Sequence, residues 1–374
     1  MPFTTKDELR SLSSPYDLLA CSEKDIVQIN TTSGTTGKPT FSFFSRQDLE
    51  EGSEHLAGAW RSFGITSQSR VQFIMSYGLF SGASLNTLAL QKIGAFVIPS
   101  GVQPLAKQLQ FIDEFRPDTL VATPSFYIYL FNALEEKGEL DRLQRWSVKR
   151  GIAAGEIYSE ETRAFIEKRL GITIHDHYGL CELYSGFAYE CSCRCGLHLL
   201  DGLVYGEIID PETEESVADG ELGELVVTSI HKKASPIVRY RTGDITRRQP
   251  TGAKCKCDRS QHTSYMIDRI HRRKDDVIFV KGVKIDPHDI HDHLMRNYGD
   301  KLYSDIKFGV NRSVNFDIPD IYVTLKEGMP NSLLSKIQRD LKEKTLVAFT
   351  VYNKPHEFFE RDSRNKSSLI IYKN

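Results

Sequence analysis

Ala95-Phe96-Val97-Ile98 and Thr119-Leu120-Val121-Ala122 are two short β-rich runs with a helical pattern between them, since Leu105, Leu109, Ile112 and Phe115 recur at helical spacing. Pro104 opens that segment, and Pro117 stops it ahead of the second run, because proline can neither donate to the helix nor fit inside it. Strand, helix and strand in this order predict a parallel sheet covered by helices. The alternation continues outward. Val71-Gln72-Phe73-Ile74-Met75 reads as a buried strand upstream, and Thr123-Pro124 opens another helix downstream. Ser159 is placed to cap the helix that carries Phe165, Ile166 and Leu170, and Gly171 ends it before Ile172-Thr173-Ile174.

After residue 200 the texture changes. Val204 to Ile209, the turn Asp210-Pro211-Glu212-Thr213, and Leu222 to Thr228 predict an antiparallel meander. The charged run Arg272-Arg273-Lys274-Asp275-Asp276 precedes a strand-like segment, Val277 to Val280, that begins a final unit of about 100 residues. The expected fold is α/β: a large domain over 1–274, with helix-covered mixed and parallel sheets plus an antiparallel β subdomain, then a small mobile α+β domain over 275–374.

A net charge of -2 from 48 basic and 50 acidic residues gives no long-range field for nucleic acid or an anionic membrane. The local basic run Arg269 to Lys274 reads as a solvated hinge surface. No apolar stretch approaches the ~20 residues that span a bilayer, and the opening Met1 to Lys6 lacks the regions of a signal peptide. A cytoplasmic location is the expectation, with no nucleic-acid or membrane partner. Seven cysteines, five of them in two short clusters, fit a reducing compartment and a metal better than a disulfide framework.

The run Thr31-Thr32-Ser33-Gly34-Thr35-Thr36-Gly37-Lys38-Pro39-Thr40 packs hydroxyls, glycines and a lysine where a chain would grip phosphate. It is not a Walker A loop, which needs four residues between its glycines and a Ser or Thr after the lysine. Read in order with Pro2-Phe3-Thr4-Thr5-Lys6, Tyr77-Gly78-Leu79-Phe80, Gly155-Glu156, Asp176-His177-Tyr178-Gly179-Leu180-Cys181-Glu182, Arg239-Tyr240-Arg241-Thr242-Gly243-Asp244, Arg273-Lys274-Asp275-Asp276 and Arg364-Asn365-Lys366-Ser367, this run resembles the AMP-forming acyl-CoA synthetase superfamily, in its phenylacetate-CoA ligase branch. The resemblance covers nearly the whole chain.

It implies an ATP- and magnesium-dependent enzyme that adenylates a carboxylic acid, aromatic in this branch, and passes the acyl group to coenzyme A. Thr32, Ser33, Gly34, Thr35, Thr36, Gly37 and Lys38 would hold phosphate, and Gly155, Glu156, Asp176, Tyr178, Gly179 and Arg273 would complete the nucleotide site. Glu182 would carry magnesium, Tyr178 would pack on adenine, and Asp244 would grip the ribose hydroxyls. Tyr77, Gly78, Phe80, Ala153 and Ala154 would line the acyl pocket. Lys366, in a polar tail, would be the catalytic lysine, and Asp275 the hinge that removes it and brings in a face centred on Gly282 for the second half-reaction. Asn365 stands where the family tends to have glycine, and relatives carry some tens of residues before the Pro2-Phe3-Thr4 segment. Both departures leave open an amine or a carrier-protein thiol as acceptor, as in natural-product pathways; a nucleotide-binding homologue without turnover is a separate alternative, against which the retention of Lys38, Glu182, Asp244 and Lys366 together argues.

Cys191, Cys193, Cys195 and His198 form one cluster, and Cys255 and Cys257 the other. Zinc takes four such ligands from two short clusters brought together by strands. Cys191, Cys195, Cys255 and Cys257 are the expected set, with His198 and Cys193 in reserve, in a zinc subdomain over about 185–265. Cys181 reads as a small buried filler.

Overall fold

The structure is a computed structural model describing residues 1–32, 38–79, 81–249, 255, 257, 266–276, 278–280, 283–311, 319–359 and 369–373. Two compact units emerge: the first comprises 1–122, 146–155 and 172–271, and the second 123–145, 156–171 and 272–374.

The first unit begins with helix α1 (Lys6–Ser11), then the antiparallel hairpin β1 (Ile26–Thr31) and β2 (Phe41–Ser45), and helix α2 (Arg46–Ser62). Ser45 caps α2 in a reciprocal box with Asp48, which satisfies two otherwise orphaned amides. Strands β3 (Arg70–Phe73), β4 (Phe96–Ile98), β5 (Thr119–Ala122), β6 (Arg150–Ala154) and β7 (Thr173–Tyr178) are parallel, with helices α3 (Ser81–Ile93) and α4 (Leu105–Phe115) among the connections. Strand β3 lies between β4 and β5, so the two runs that decide the fold are not neighbours. Leu105, Leu109 and Ile112 are buried as their spacing requires, whereas Phe115 is exposed beside the left-handed residue Arg116 that ends the helix. The upstream strand also ends at Phe73, short of Met75.

The sheet then changes direction. Strand β8 (Ala188–Glu190) continues it antiparallel to β7, and β9 (Leu197–Leu199) follows antiparallel to β8, while β10 (Val204–Ile209), β11 (Leu222–Ser229) and β12 (Tyr240–Arg247) form the expected meander. The Asp210 carboxylate accepts the amides of Glu212 and Thr213 at 2.8 Å each, which builds the turn between β10 and β11. Strand β13 (Met266–Ile267) pairs with β9, so the strands around the cysteines extend the large sheet rather than the meander.

In the second unit, Thr123 and Ser159 cap the helices Pro124–Glu136 and Glu160–Leu170 as expected, and Gly171 ends the latter with φ +69°. Strands Leu302–Asn311, Asp320–Leu325, Thr350–Asn353 and Ile370–Lys373 form a mixed sheet. Helices Pro287–Tyr298 and Ser332–Thr345 supply Ile290, Leu294, Ile337 and Leu341 to its core. Arg273 lies in the short strand Arg272–Arg273, and Asp275 in the 3-10 turn Lys274–Asp276 that follows.

Candidate active site

Parallel strands present ligand-binding loops at their carboxyl ends. In β6 and β7 those ends are side by side: Ala153 pairs with Asp176 and Ala154 with His177, which brings Gly155, at φ +83°, beside the segment Asp176 to Glu182. The Tyr178-Gly179 turn needs its glycine, because a Cβ on Gly179 would lie 2.1 Å from the Gly186 amide nitrogen. The loop therefore doubles back tightly and turns Glu182 inward.

Glu182 is only 4% exposed, and three donors converge on its Oε1. The Tyr240 hydroxyl donates at 3.1 Å, the Thr40 hydroxyl at 3.3 Å, and Lys6 Nζ lies at 3.3 Å. Each arrives from a different part of the chain. Thr40 ends the Ser/Thr- and Gly-rich run, and its amide donates to Thr32 Oγ1 at 3.0 Å. Lys6 is placed because Thr4 bridges to Tyr240 in parallel register and Thr5 caps α1. Lys38 is exposed, and its carbonyl accepts from Arg10 Nε at 3.0 Å. Ser33, Gly34, Thr35, Thr36, Gly37, Phe80, Gly282 and Lys366 lie outside the described residues.

Tyr178 and Asp244, distant in sequence, meet: the tyrosine hydroxyl donates to Asp244 Oδ2 at 2.6 Å. The Tyr178 ring packs edge-on against Phe187 at 5.3 Å, and the Asp244 amide donates to Thr242 Oγ1. Asp176 donates its amide to Glu190. Tyr77 is half-buried with its hydroxyl 2.8 Å from Thr87 Oγ1, Gly78 is exposed, and Ala153 is fully buried beside a half-buried Ala154. In the second unit, the Glu156 carboxylate is taken by the Ser125 amide and hydroxyl, at 3.0 and 2.7 Å. It secures a helix start, which the sequence did not indicate.

Sequence reasoning missed Lys232. It is buried under the Phe44 ring at 4.2 Å, and burial pulls its ammonium down to about 7 against the opposing carboxylates of Asp48 and Glu182. Nothing in Ile230-His231-Lys232-Lys233 distinguishes it from an ordinary surface lysine. His177 is a second buried group. Its Nε2 has no hydrogen-bond partner among the described residues, and desolvation lowers its pKa to about 4.

At the far end of the sheet, one ligand atom each from Cys191, His198, Cys255 and Cys257 lies within 4.8 Å of all the others. Cys191 and Cys255 sulfurs are 3.2 Å apart, and Cys257 Sγ is 3.6 Å from His198 Nε2. His198, held in reserve by the sequence, joins the cluster from β9, where it is fully buried; Cys193 and Cys195 are exposed in the turn before it, and the Cys195 thiol lies within hydrogen-bond reach of Cys255 and Cys191. Burial, then the hydrogen bond to Cys255, holds the Cys191 thiol well above its ordinary range, and burial lowers the His198 pKa. Three sulfurs and one imidazole in a closed cluster fit zinc.

With this geometry in place, comparison with known proteins gives a consistent result. A family described as AMP-binding enzyme matches residues 3–231. Phenylacetate-coenzyme A ligase of Pseudomonas putida is 33% identical over 350 residues, covering 91% of this chain and 77% of that protein. The enzyme of the same name from Escherichia coli (strain K12) is 34% identical over 328 residues, covering 87% and 72%. A crystal structure of 2-hydroxyisobutyryl-CoA ligase in the postadenylation state, with R3-HIB-AMP, has a TM-score of 0.88 at 19% identity over 100% of this chain and 80% of that one, a likeness of fold. The chain belongs to the AMP-binding enzyme family, in its phenylacetate-CoA ligase branch. Among the described residues no helix is long and apolar enough to cross a membrane.

Proposed function

We propose that this protein adenylates an aromatic carboxylic acid with ATP and transfers the acyl group to coenzyme A. The carboxylate attacks the α-phosphorus and pyrophosphate leaves, giving an acyl adenylate; the thiol of coenzyme A then displaces AMP and forms the thioester. The observation that carries the reading is the convergence of Thr40, Tyr240 and Lys6 on Glu182, beside the Tyr178 and Asp244 pair.

Two anions meet in the first step, so cationic charge has to be supplied where they approach. The Glu182 carboxylate and the Thr40 hydroxyl are oxygen donors of the kind magnesium takes, and magnesium would screen phosphate charge when bound. Tyr178 orients the Asp244 carboxylate for the ribose hydroxyls. Lys366 is the proposed source of positive charge at the α-phosphate and the acyl carboxylate, with Asp275 as the hinge that serves the second half-reaction. The two-domain division at residue 275 belongs to this proposal. The cluster of Cys191, His198, Cys255 and Cys257 is assigned to structural zinc, away from the chemistry.

The test is ATP–pyrophosphate exchange across aryl and alkyl acids, followed by product analysis with and without coenzyme A. Exchange is expected with aryl acids, and an acyl-CoA product only when coenzyme A is present. Exchange without any thioester would move the acceptor to an amine or a carrier-protein thiol, and no exchange with any acid would overturn adenylation.

A further inference from the structure

Lys232 is a fully buried lysine, placed where lysines are rarely found. Its ammonium has three donors, and three oxygens meet it: Ser42 Oγ on β2, the Leu183 carbonyl at 2.9 Å and the Glu182 carbonyl at 3.4 Å. The Ser42 hydroxyl, in accepting from Lys232, donates in turn to the same Glu182 carbonyl at 3.1 Å. The rings of Phe44 and Tyr184 cover the charge at 4.2 and 5.4 Å.

The chain around Lys232 is held independently of this side chain. His231 adopts φ +58°, which turns the segment inward. The Asp48 carboxylate accepts the amides of Lys233 and Ala234, at 2.6 and 3.0 Å. Ser235 Oγ accepts the Phe43 amide and donates to the Phe43 carbonyl. A segment already fastened to β2 and α2 at these points does not need a buried ammonium for its own attachment. What the ammonium adds is a link between β2 and the peptide that carries Glu182.

We propose that Lys232 is a positioning residue for Glu182: by holding the Glu182 and Leu183 carbonyls against Ser42, it fixes where the Glu182 carboxylate stands relative to Thr40 and Tyr240. Ser42 lies on β2 two residues after Thr40, which immediately precedes the strand, so one short stretch of backbone sets both the anchor of the Glu182 main chain and one partner of its side chain. Residues that orient a cation ligand without touching the cation typically change metal affinity by about 10- to 100-fold when removed. This inference rests on the reading of Glu182 as the carboxylate that faces the nucleotide's divalent cation.

The experiment titrates full-length protein with Mn2+ in the presence of a non-hydrolysable ATP analogue and follows the signal of free Mn2+ by electron paramagnetic resonance. Lys232→Met, Ser42→Ala and Glu182→Gln are compared with the parent protein. Lys232→Met is expected to weaken Mn2+ binding by about tenfold, Glu182→Gln by at least as much, and Ser42→Ala by several-fold in the same direction. If Glu182→Gln weakens binding while Lys232→Met and Ser42→Ala match the parent, the positioning role is overturned and Lys232 is a packing element. If Glu182→Gln itself binds Mn2+ as the parent does, the reading of Glu182 fails and takes the proposal with it. Should Lys232→Met not fold, Ser42→Ala, which removes one hydroxyl, decides the matter.

Discussion

Two polar corners of the first unit suit cations, and they are built in opposite ways. Around Cys191 the donors are sulfur and imidazole, four atoms within 4.8 Å and mostly buried, contributed by two strand ends and a following segment. Around Glu182 the donors are oxygens, and the charge is balanced by lysines: Lys6 on the carboxylate and Lys232 behind its backbone. The first arrangement is complete in itself, as a structural site has to be. In the second, the three named donors all take Oε1, so Oε2 has no partner among the described residues, and the corner can accept a charge that comes and goes. On the proposed reading the sulfur corner serves folding and the oxygen corner turnover, so the difference teaches that each can be broken separately.

The largest effect is expected from the sulfur corner. Replacing Cys255 and Cys257 with Ser should remove about one equivalent of zinc and, because a metal's binding energy is folding energy, cost more than about 4 kcal/mol of stability. Elemental analysis and thermal melts check both, and adenylation per folded molecule should be unchanged. Active parent protein without zinc would remove the contrast altogether.

The oxygen corner should respond the other way. Lys366→Ala is expected to lower pyrophosphate exchange by about 10² to 10³, as removal of a preorganised donor does, with an unchanged melting temperature. The same variant should still consume a chemically supplied acyl adenylate with coenzyme A. Equal loss of both half-reactions would deny Lys366 its special place in adenylation.

The contrast also explains what could be read from the chain and what could not. Helix starts at Thr123 and Ser159, the stop at Gly171 and the turn at Asp210 were legible because each rests on local chemistry. The exposure of Phe115 was not, since periodicity marks a face without fixing its width. Sequence order similarly did not show that β3 separates β4 from β5. Cysteine spacing pointed to the sulfur cluster, but the part His198 takes in it depends on which way β9 presents its side chains. Lys6 and Lys232 were invisible as partners of Glu182, because each reaches it only through long-range pairing of strands and loops.

His177 lies on β7 opposite Tyr189, the strand partner that leads to Cys191, and so stands between the corners. Its unfolded form takes up a proton near 6.5, whereas the buried ring resists until about 4. The depressed pKa contributes stability in full above pH 6.5 and loses it as the pH falls toward 4. One pKa unit corresponds to about 1.4 kcal/mol, so the gap amounts to about 3 kcal/mol. Denaturant titrations of the parent and His177→Gln should show the parent losing that much more stability between pH 7 and 4. Parallel pH profiles would place the acid sensitivity elsewhere, with the cysteine cluster next to examine.

The smallest effect expected is at Tyr178, and it sharpens the comparison because it concerns orientation alone. The Asp244 carboxylate is 3% exposed, and the Tyr178 hydroxyl donates to it at 2.6 Å. Tyr178→Phe keeps the ring against Phe187 and removes only that donor. A hydrogen bond to a charged group is worth about 1.5 to 3 kcal/mol, part of which water can replace once the site opens to a nucleotide. ATP binding should therefore weaken by about tenfold, equivalent to about 1.4 kcal/mol, with zinc content and melting temperature close to the parent's. Asp244→Asn provides the reference, since it weakens the acceptor while leaving the tyrosine in place. If Tyr178→Phe lowers the melting temperature and binds ATP like the parent, the pair is a structural fastening and the ribose needs another holder. If both variants lose ATP affinity and neither loses zinc, turnover and folding are served by separate corners of the first unit.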